Sequence, residues 1–341
     1  KDIMRPMVKY QVDLSLENAI EKISREDHKV VDEKDNSYQY QKLLIATGGC
    51  PVRLPNSPEG VIHYRTLEDF IKLKELTQSK SKIICVIGGG FIGSEIAAAL
   101  NKRGVKVTII FPETGILGLR FPENLAHYLN EYFRDKGVSV LEGHVVNGIV
   151  KDNDQHKVKI NKINDDRISE LRCDSVVVGI GVSPNTQIAE NAGLEVNNGL
   201  IVNEFLQTND PNIFAAGDVA NFINTGLGKR TRVEHEDNAN TMGTLAGQNM
   251  SGQMGKYSYF PFLYSDMFDL GYEAVGEFNK NLDIYEDWIE PFQKGTIFYL
   301  HSGKVRGLVF WNLRGKINHG RDMIRRGKTF STADLKGYFT E

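Results

Sequence analysis

The chain has 341 residues, 40% of them hydrophobic and 25% charged, and its formal net charge is -3. These values predict a soluble globular protein of two or three domains and exclude a disordered chain. No apolar run approaches the roughly 20 residues that cross a bilayer. The segment 1–6 is typical of neither a signal peptide nor a transit sequence, so we expect any targeting segment to have been removed.

The first half of the chain predicts strands that run into glycines. A hairpin-like stretch over 29–41 precedes an apolar strand that begins at Leu43 and ends in the Thr47-Gly48-Gly49 turn. A second apolar strand runs into a glycine-rich turn, and a helix pattern and a third strand follow it. These three elements cover 83–87, 91–103 and 106–111 and predict one βαβ unit.

The second half continues this alternation and then changes in character. A helix is predicted to begin at Pro122 and to end at Gly137, and strands are predicted near 138–141, 158–161 and 175–180. The run 181–185 predicts a crossing back into another domain, and 212–218 is again a strand that ends in a glycine. From about Phe260, short strands rich in Tyr, Phe and Val precede a basic helix near 317–326, which predicts a separate α+β domain.

The strongest indication of a ligand site is the turn Gly88-Gly89-Gly90-Phe91-Ile92-Gly93, because a buried strand precedes it and a helix and a second strand follow. Gly88 permits a tight turn, Gly90 lets a pyrophosphate approach the backbone, and Gly93 lets the helix pack on the sheet. Free N–H groups at the start of the helix then bind phosphate charge. The pattern predicts a nicotinamide-dinucleotide site, and the alternative is a glycine-rich turn without a ligand.

An acidic residue near the end of the second strand distinguishes the two nicotinamide cofactors, because a carboxylate there binds ribose hydroxyls and repels a 2′-phosphate. Glu113 falls two places later than usual and still favours NADH. Two alternatives stay open: Arg120 could accommodate a 2′-phosphate, and Glu113 could be a solvated loop residue. Glu95 is assigned to the first turn of the binding helix, where the helix dipole favours an acid whatever its function.

A second cofactor signal is Gly217-Asp218 at the end of a strand. The glycine gives a pyrophosphate access to the backbone, and the carboxylate can accept hydrogen bonds from sugar-alcohol hydroxyls. Alone, this run is a common turn. Together with Thr47-Gly48 upstream and the dinucleotide unit between them, it predicts a flavoprotein whose nicotinamide domain is inserted into its flavin domain.

The three cysteines, Cys50, Cys85 and Cys173, form no C-x-x-C pair. The sequence therefore excludes the adjacent dithiol through which disulfide reductases pass electrons onward from flavin. Cys85 lies within an apolar run, which predicts a buried and unreactive thiol. No residues have the spacing of metal ligands.

Several longer runs, together with these signals in this order, resemble the two-dinucleotide FAD- and NAD(P)-dependent flavoprotein reductases and, within them, the mitochondrial apoptosis-inducing factor family. The runs are 232–235 (RVEH), 245–252, 271–276 (GYEAVG), 298–300 and 309–312. The resemblance implies an α/β fold in which a Rossmann-like NAD-binding domain is inserted into an N-terminally incomplete Rossmann-like FAD-binding domain, followed by a C-terminal α+β domain. We expect the boundaries 1–50 and 183–259 for the FAD-binding parts, 51–182 for the NADH-binding domain and 260–341 for the last domain.

The same resemblance implies which residues bind the two cofactors, FAD and NADH. Phe91, Glu95 and His235 are expected where hydride transfer occurs, and Tyr264 stands where the family usually has a tryptophan. The expected FAD-binding residues are Arg5, Thr47, Gly48, Arg65, Gly217, Asp218, Glu234, His235, Glu236 and Tyr264. The expected NADH-binding residues are Gly88, Gly90, Phe91, Gly93, Glu95, Glu113, Gly181, Glu234 and Glu273.

The implied function is hydride transfer from NADH to FAD, with redox-linked dimerisation and roles in respiratory-complex assembly and cell death. A small molecule or a protein would accept the electrons, an import partner is expected in the intermembrane space, and the alternative location is the cytoplasm. Two other functions stay open: a ferredoxin- or rubredoxin-type NADH reductase, and a truncated interaction form with impaired FAD binding. The last follows because nothing before Leu43 matches the family's first G-x-G-x-x-G unit.

The stretch 304–328 contains eight Lys or Arg residues and a single acid, Asp322. Such a patch predicts weak, non-specific binding to DNA, a property that the resemblance also implies. The favoured alternative is a solvated helix face, because the whole chain is slightly acidic.

Overall fold

The computed structural model describes residues 12–78 and 82–339. Its first elements are β1 (Ile20–Ser24), β2 (Lys29–Asp32), β3 (Ser37–Gln39), β4 (Leu43–Ile45) and β5 (Gly49–Pro51). Strands β1, β2 and β3 form an antiparallel sheet in that order. The buried carboxylate of Asp32 closes the β2–β3 turn by accepting from the backbone N–H groups of Lys34 at 2.9 Å and Asn36 at 2.8 Å.

The middle of the chain forms a parallel sheet and a small antiparallel sheet. In chain order its elements are β6 (Ile62–His63), α1 (Leu67–Leu76), β7 (Ile83–Ile87), α2 (Phe91–Lys102), β8 (Lys106–Ile110), α3 (Glu123–Asp135), β9 (Ser139–Leu141), β10 (His144–Asp152), β11 (Gln155–Lys162), β12 (Ser169–Cys173) and β13 (Ser175–Val178). Five strands are parallel in the order β6-β13-β7-β8-β9. The order β10-β11-β12 is antiparallel.

Strand β7 is buried on both faces of the parallel sheet, which explains why it is apolar throughout. Ile84 and Val86 pack in the cluster that contains the buried residues of α2 and α3, whereas Cys85 and Ile87 pack against the β10–β12 sheet. Cys173 lies in the second cluster beside Cys85. This neighbouring thiol and burial raise the pKa of Cys85, so its thiol stays protonated, as the sequence predicts.

After β13 the chain forms strands that pair with β4 and β5 from its first part. The elements are β14 (Val182–Pro184), α4 (Gln187–Asn191), β15 (Leu200–Ile201), β16 (Ile213–Ala215), β17 (Ala220–Asn224), β18 (Lys229–Thr231) and α5 (Glu236–Met250). Strand β14 pairs antiparallel with β5, and β16 pairs parallel with β4. The pair β5–β14, which we call the crossing ribbon, therefore connects the β4–β16 sheet with the parallel sheet.

The C-terminal segment is an antiparallel sheet with two helices. Its elements are β19 (Phe262–Met267), β20 (Leu270–Gly276), β21 (Asp283–Glu290), β22 (Lys294–His301), β23 (Lys304–Trp311), α6 (Ile317–Arg326) and α7 (Thr332–Leu335), with strand order β19-β20-β23-β22-β21. Tyr272 and Trp311 stack at 5.5 Å, and Phe121 packs edge-on against both. The C-terminal sheet therefore shares one core with the helices of the parallel sheet.

The structure confirms the α/β fold class, the βαβ unit and the basic helix, and among the boundaries that it moves two have a physical reason. Pro122 directly precedes α3 with ψ at 150°, so it lies outside the helix that it was expected to begin. Strand β11 is twice as long as predicted, because its lysines alternate with buried residues and conceal the apolar pattern. Within residues 12–78 and 82–339, no helix is long and apolar enough to span a membrane.

Candidate functional site

The chain passes from β7 into α2 through a turn that requires glycine at two positions, Gly88 before the helix and Gly93 in its first turn. Gly88 has φ at +116°, and a Cβ on Gly93 would lie 1.9 Å from the carbonyl oxygen of Gly88. A Cβ on Gly90 would meet no atom within 4 Å, so the space beside it is open. Gly90 is also the N-cap of α2 and has no side chain to satisfy the first N–H groups of that helix. The turn therefore presents free N–H groups to an open space, which suits a phosphate.

Glu95 lies in the second turn of α2, not in the first, so the helix-dipole explanation of this acid is wrong. Its carboxylate instead accepts a 2.5 Å hydrogen bond from the hydroxyl of Ser265 on β19. Burial raises the pKa of Glu95, the Ser265 hydroxyl opposes that shift, and the negative charge of Asp266 adds to it. Phe91, half-buried at the start of α2, packs edge-on against Phe278.

The acid that was expected to bind the adenine ribose is available for a ligand. Glu113 is half-buried, its backbone carbonyl accepts from the N–H of Gly143 at 3.0 Å, and its carboxylate makes no hydrogen bond to any described residue. Gly181 has φ at +127°, and its carbonyl accepts from the N–H of Val52 at 2.9 Å. Arg120 is exposed, and its positive charge helps to lower the pKa of His235, a residue far from it in sequence.

The second glycine turn is joined to the parallel sheet by an ion pair. Gly217, with φ at +76°, begins the short 3-10 turn Gly217–Val219 directly after β16. Asp218 in this turn accepts a 2.6 Å charge-assisted hydrogen bond from Arg65, which follows β6. The backbone N–H of Arg65 donates in turn at 3.0 Å to Asp69, whose carboxylate forms a capping box with Thr66, the N-cap of α1. The two units thus meet at the turn that the sequence associates with flavin.

His235 is held neutral beside that turn. Burial lowers its pKa to about 4, the carboxylates of Asp237 and Asp218 oppose the shift, and Arg120 adds to it. Its Nδ1 is buried and has no hydrogen-bond partner among the residues of the described part. Because a buried polar atom without a partner is costly, this nitrogen points to a ligand group that would satisfy it. Glu236 and Tyr264 are both exposed, Glu236 at the start of α5 and Tyr264 on β19.

Thr47 and Gly48 are held by Asn185, a residue that the sequence analysis did not select. The side-chain amide of Asn185 donates to the carbonyl of Thr47 at 2.8 Å, and the hydroxyl of Thr47 donates to the carbonyl of Asn185 at 2.7 Å. The N–H of Asn185 also donates to Gly48 at 3.0 Å. The only sequence signal was its position at the end of the 181–185 run.

The two remaining acids have partners that the sequence did not predict. Glu234 pairs with Arg232 at 2.8 Å, and Glu273 accepts from the backbone N–H of Gly315 at 3.0 Å. Ser265 and Arg232 were also missed as site residues, because nothing in local sequence shows which acid a hydroxyl or guanidinium will meet. Arg5 lies outside the described residues.

At least four of the eight basic residues in the stretch 304–328 pair with acids of the protein. Its ion pairs are Arg306 with Glu277 at 3.4 Å, Arg321 with Asp237 at 3.5 Å, Arg325 with Asp322 at 3.5 Å, and Arg314 with Asp266. This pairing favours the solvated-face interpretation. Within the described ranges, no group of three or more His, Cys, Asp or Glu residues could hold a metal ion.

Comparison with known proteins places this geometry in a family. The sequence profile of the pyridine nucleotide-disulphide oxidoreductases matches residues 5–243. Apoptosis-inducing factor 1, mitochondrial, from Dictyostelium discoideum is 36% identical over 313 residues, which cover 85% of this chain and 58% of that relative. Putidaredoxin reductase CamA from Pseudomonas putida is 29% identical over 310 residues, covering 89% of this chain and 72% of that relative. The chain thus spans 58% of the length of the first relative.

Solved structures agree with the sequence comparison. A ferredoxin reductase from Rhodopseudomonas palustris superposes with a TM-score of 0.86 at 27% identity, covering 96% of this chain and 81% of that chain. A covalent putidaredoxin reductase–putidaredoxin complex gives 0.85 at 27% identity, with coverages of 95% and 78%. These matches confirm the resemblance found in the sequence, and proteins of this class use FAD and NAD(P)H. The chain belongs to the pyridine nucleotide-disulphide oxidoreductase family.

Proposed function

We propose that this protein is an NADH-dependent FAD oxidoreductase of the apoptosis-inducing factor type. The observation that carries the proposal is the 2.6 Å ion pair between Arg65 and Asp218, because it brings the Gly217 turn to the unit that contains the Gly88–Gly93 turn. Two glycine turns suited to pyrophosphate are thereby held in one arrangement. The unpartnered Nδ1 of His235 beside Asp218 fits a ligand at the same place.

In this proposal, the FAD-binding domain consists of 1–50 and 183–259, and the NADH-binding domain is 51–182. The C-terminal domain is 260–341. FAD would contact Thr47, Gly48, Arg65, Gly217, Asp218, Glu234, His235, Glu236 and Tyr264. NADH would contact Gly88, Gly90, Phe91, Gly93, Glu95, Glu113, Gly181, Glu234 and Glu273. When bound, the two cofactors supply the hydride donor and the hydride acceptor, and the protein supplies position and electrostatics.

The residues of the chain itself would control charge where the two cofactors meet. His235 is neutral near pH 7, since burial lowers its pKa to about 4, so it can both donate and accept a hydrogen bond without adding a cation. Glu95 is fixed by the hydroxyl of Ser265, and burial raises the pKa of its carboxyl group. The ring of Phe91 packs edge-on against Phe278 and would help to exclude water where the cofactors meet.

The finer biological roles rest on similarity alone. The match to apoptosis-inducing factor 1, mitochondrial, supports a mitochondrial protein that acts in cell death. The family resemblance of the sequence further implies a place in the intermembrane space with an import partner, dimerisation on reduction and a role in respiratory-complex assembly. A second candidate is a ferredoxin- or rubredoxin-type NADH reductase, which the similarity to a ferredoxin reductase and to the putidaredoxin reductase–putidaredoxin complex favours. A protein or a small molecule would then accept the electrons.

A visible absorption spectrum of the purified protein with FAD, recorded without oxygen before and after NADH, tests the proposal. We expect a protein-bound flavin band that bleaches when NADH is added. A chain that retains no FAD would support the non-enzymatic interaction form, and bound flavin that stays oxidised would contradict the oxidoreductase.

The fate of the reduced protein then separates the candidate roles. Rapid reoxidation by a quinone or an iron–sulfur carrier would favour the reductase. A long-lived reduced complex with a larger mass in light scattering would favour a redox-controlled association.

A further inference from the structure

The relative position of the two glycine turns depends on the crossing ribbon as well as on the ion pair between Arg65 and Asp218. Its ladder pairs Val182 with Pro51 and Pro184 with Gly49. The ribbon contains only three residues in each strand, so its own hydrogen bonds provide little resistance to bending. Some other group must hold it against the turn at Gly217.

Arg232 contacts both the crossing ribbon and that turn. Its guanidinium donates to the carbonyl of Val182 in the ribbon at 3.4 Å and to the carbonyl of Asp218 at 3.2 Å. It also pairs with Glu234 at 2.8 Å and donates to the side-chain oxygen of Asn198 at 3.2 Å. Only 9% of the Arg232 side chain is exposed. One buried cation therefore joins its own segment, which includes Glu234, to three others, those of Val182, Asn198 and Asp218.

Two features indicate that the structure is built around an arginine at this position. The guanidinium is planar with five donors in fixed directions, so it can serve several acceptors at once, whereas a lysine ammonium is a single point of charge. Gly199 beside it has φ at +115°, and a Cβ there would lie 2.6 Å from the carbonyl oxygen of Val219 and 2.9 Å from Cδ of Arg232. The glycine therefore leaves space both for the backbone of Val219 and for the arginine side chain.

We propose that Arg232 is a positioning residue that locks the crossing ribbon onto the Asp218 turn and holds Glu234 in its place in the site. The inference deepens the proposed function and rests on it for the role of Glu234. With Arg232 present, the two cofactor-binding units keep a fixed mutual position. Without it, the carbonyls of Val182 and Asp218 lose a donor and Glu234 is free to rotate.

The experiment compares Arg232→Met and Arg232→Lys with the matched variant Arg230→Met. Arg230 also donates to two backbone carbonyls, those of Val202 at 2.9 Å and Asn221 at 3.0 Å, but it contacts neither the ribbon nor the Asp218 turn. Amide hydrogen exchange is measured at Val52 and Asn185, whose N–H groups donate to the carbonyls of Gly181 and Gly48. Neither hydrogen bond involves Arg232, so a change in exchange reports movement of the ribbon.

We expect exchange at these two amides to become about tenfold faster in Arg232→Met, equivalent to about 1.4 kcal/mol, to be intermediate in Arg232→Lys, and to be unchanged in Arg230→Met. In the FAD-loaded protein, the KM for NADH should rise about tenfold in Arg232→Met while kcat changes less than about twofold, because position rather than chemistry is lost.

The two proposals fail in different ways. Wild-type exchange rates at Val52 and Asn185 in both Arg232 variants would overturn the lock, whatever the activity. Equal acceleration in Arg230→Met would overturn it as well. If the wild-type protein binds FAD but is not reduced by NADH, the proposed function fails, and the exchange data still decide whether Arg232 holds the ribbon. Should Arg232→Met fail to fold, Arg232→Lys carries the comparison.

Discussion

Replacing Gly90 by alanine would separate the ligand-binding role of the glycine turn from its structural role. The backbone of Gly90 has φ at −80°, which any residue adopts, and a Cβ there meets no atom within 4 Å. Alanine is a poorer N-cap than glycine but lowers the entropy of the unfolded chain. These effects nearly cancel, so we expect the free energy of unfolding to change by less than about 0.5 kcal/mol.

Binding of NADH should respond quite differently. The added methyl group occupies the open space in which a pyrophosphate would approach the N–H groups at the start of α2. Losing one or two hydrogen bonds to a charged group, at about 1.5 kcal/mol each, should raise the Kd for NADH by roughly ten- to a hundredfold. The Kd is measured by fluorescence titration of the purified protein.

Gly93→Ala is the contrasting variant. Its Cβ would lie 1.9 Å from the backbone oxygen of Gly88, so α2 must move away from β7. We expect a loss of about 3 kcal/mol in the free energy of unfolding, measured by urea titration with circular dichroism. If Gly90→Ala bound NADH as tightly as the wild type, or if Gly93→Ala were equally stable, the assignment of the two glycines would be refuted.

Three further predictions concern charge. Because burial lowers the pKa of His235 from 6.5 to about 4, the unfolded chain binds the additional proton between these values. Without added cofactors, the free energy of unfolding should show no penalty from His235 above pH 6.5 and should fall by up to roughly 3 kcal/mol as the pH drops through 4. If His235→Phe had the same pH dependence of urea unfolding as the wild type, this expectation would be contradicted. Glu113→Gln should reduce the preference for NADH over NADPH in reduction kinetics about tenfold by removing repulsion of the 2′-phosphate, and an unaltered ratio would assign Glu113 to a solvated loop. Arg321→Met removes the buried cation that pairs with Asp237 and should cost about 3 kcal/mol in urea unfolding, whereas the exposed Arg326→Met should cost almost nothing.

The sequence was sufficient wherever the signal was local. The strand 83–87, the turn from Gly88 to Gly93 and the helix after it lie within one continuous stretch, and steric limits at glycine connect that pattern directly to a structure. The same applies to the strand that ends at Gly217. Glu95 shows the limit, since its correct helix was predicted but its turn and its partner were not.

The sequence by itself determined the βαβ unit, the two glycine turns and the family, because backbone geometry and apolar periodicity are written in neighbouring residues. Only the tertiary structure decided which polar groups meet. Ser265 reaches Glu95 across 170 positions, Asn185 reaches Thr47 across 138, and Arg65 reaches Asp218 across 153. Hydrogen bonds and ion pairs depend on distances of a few ångströms between side chains from separate elements, and those distances arise only when the sheets and helices have packed.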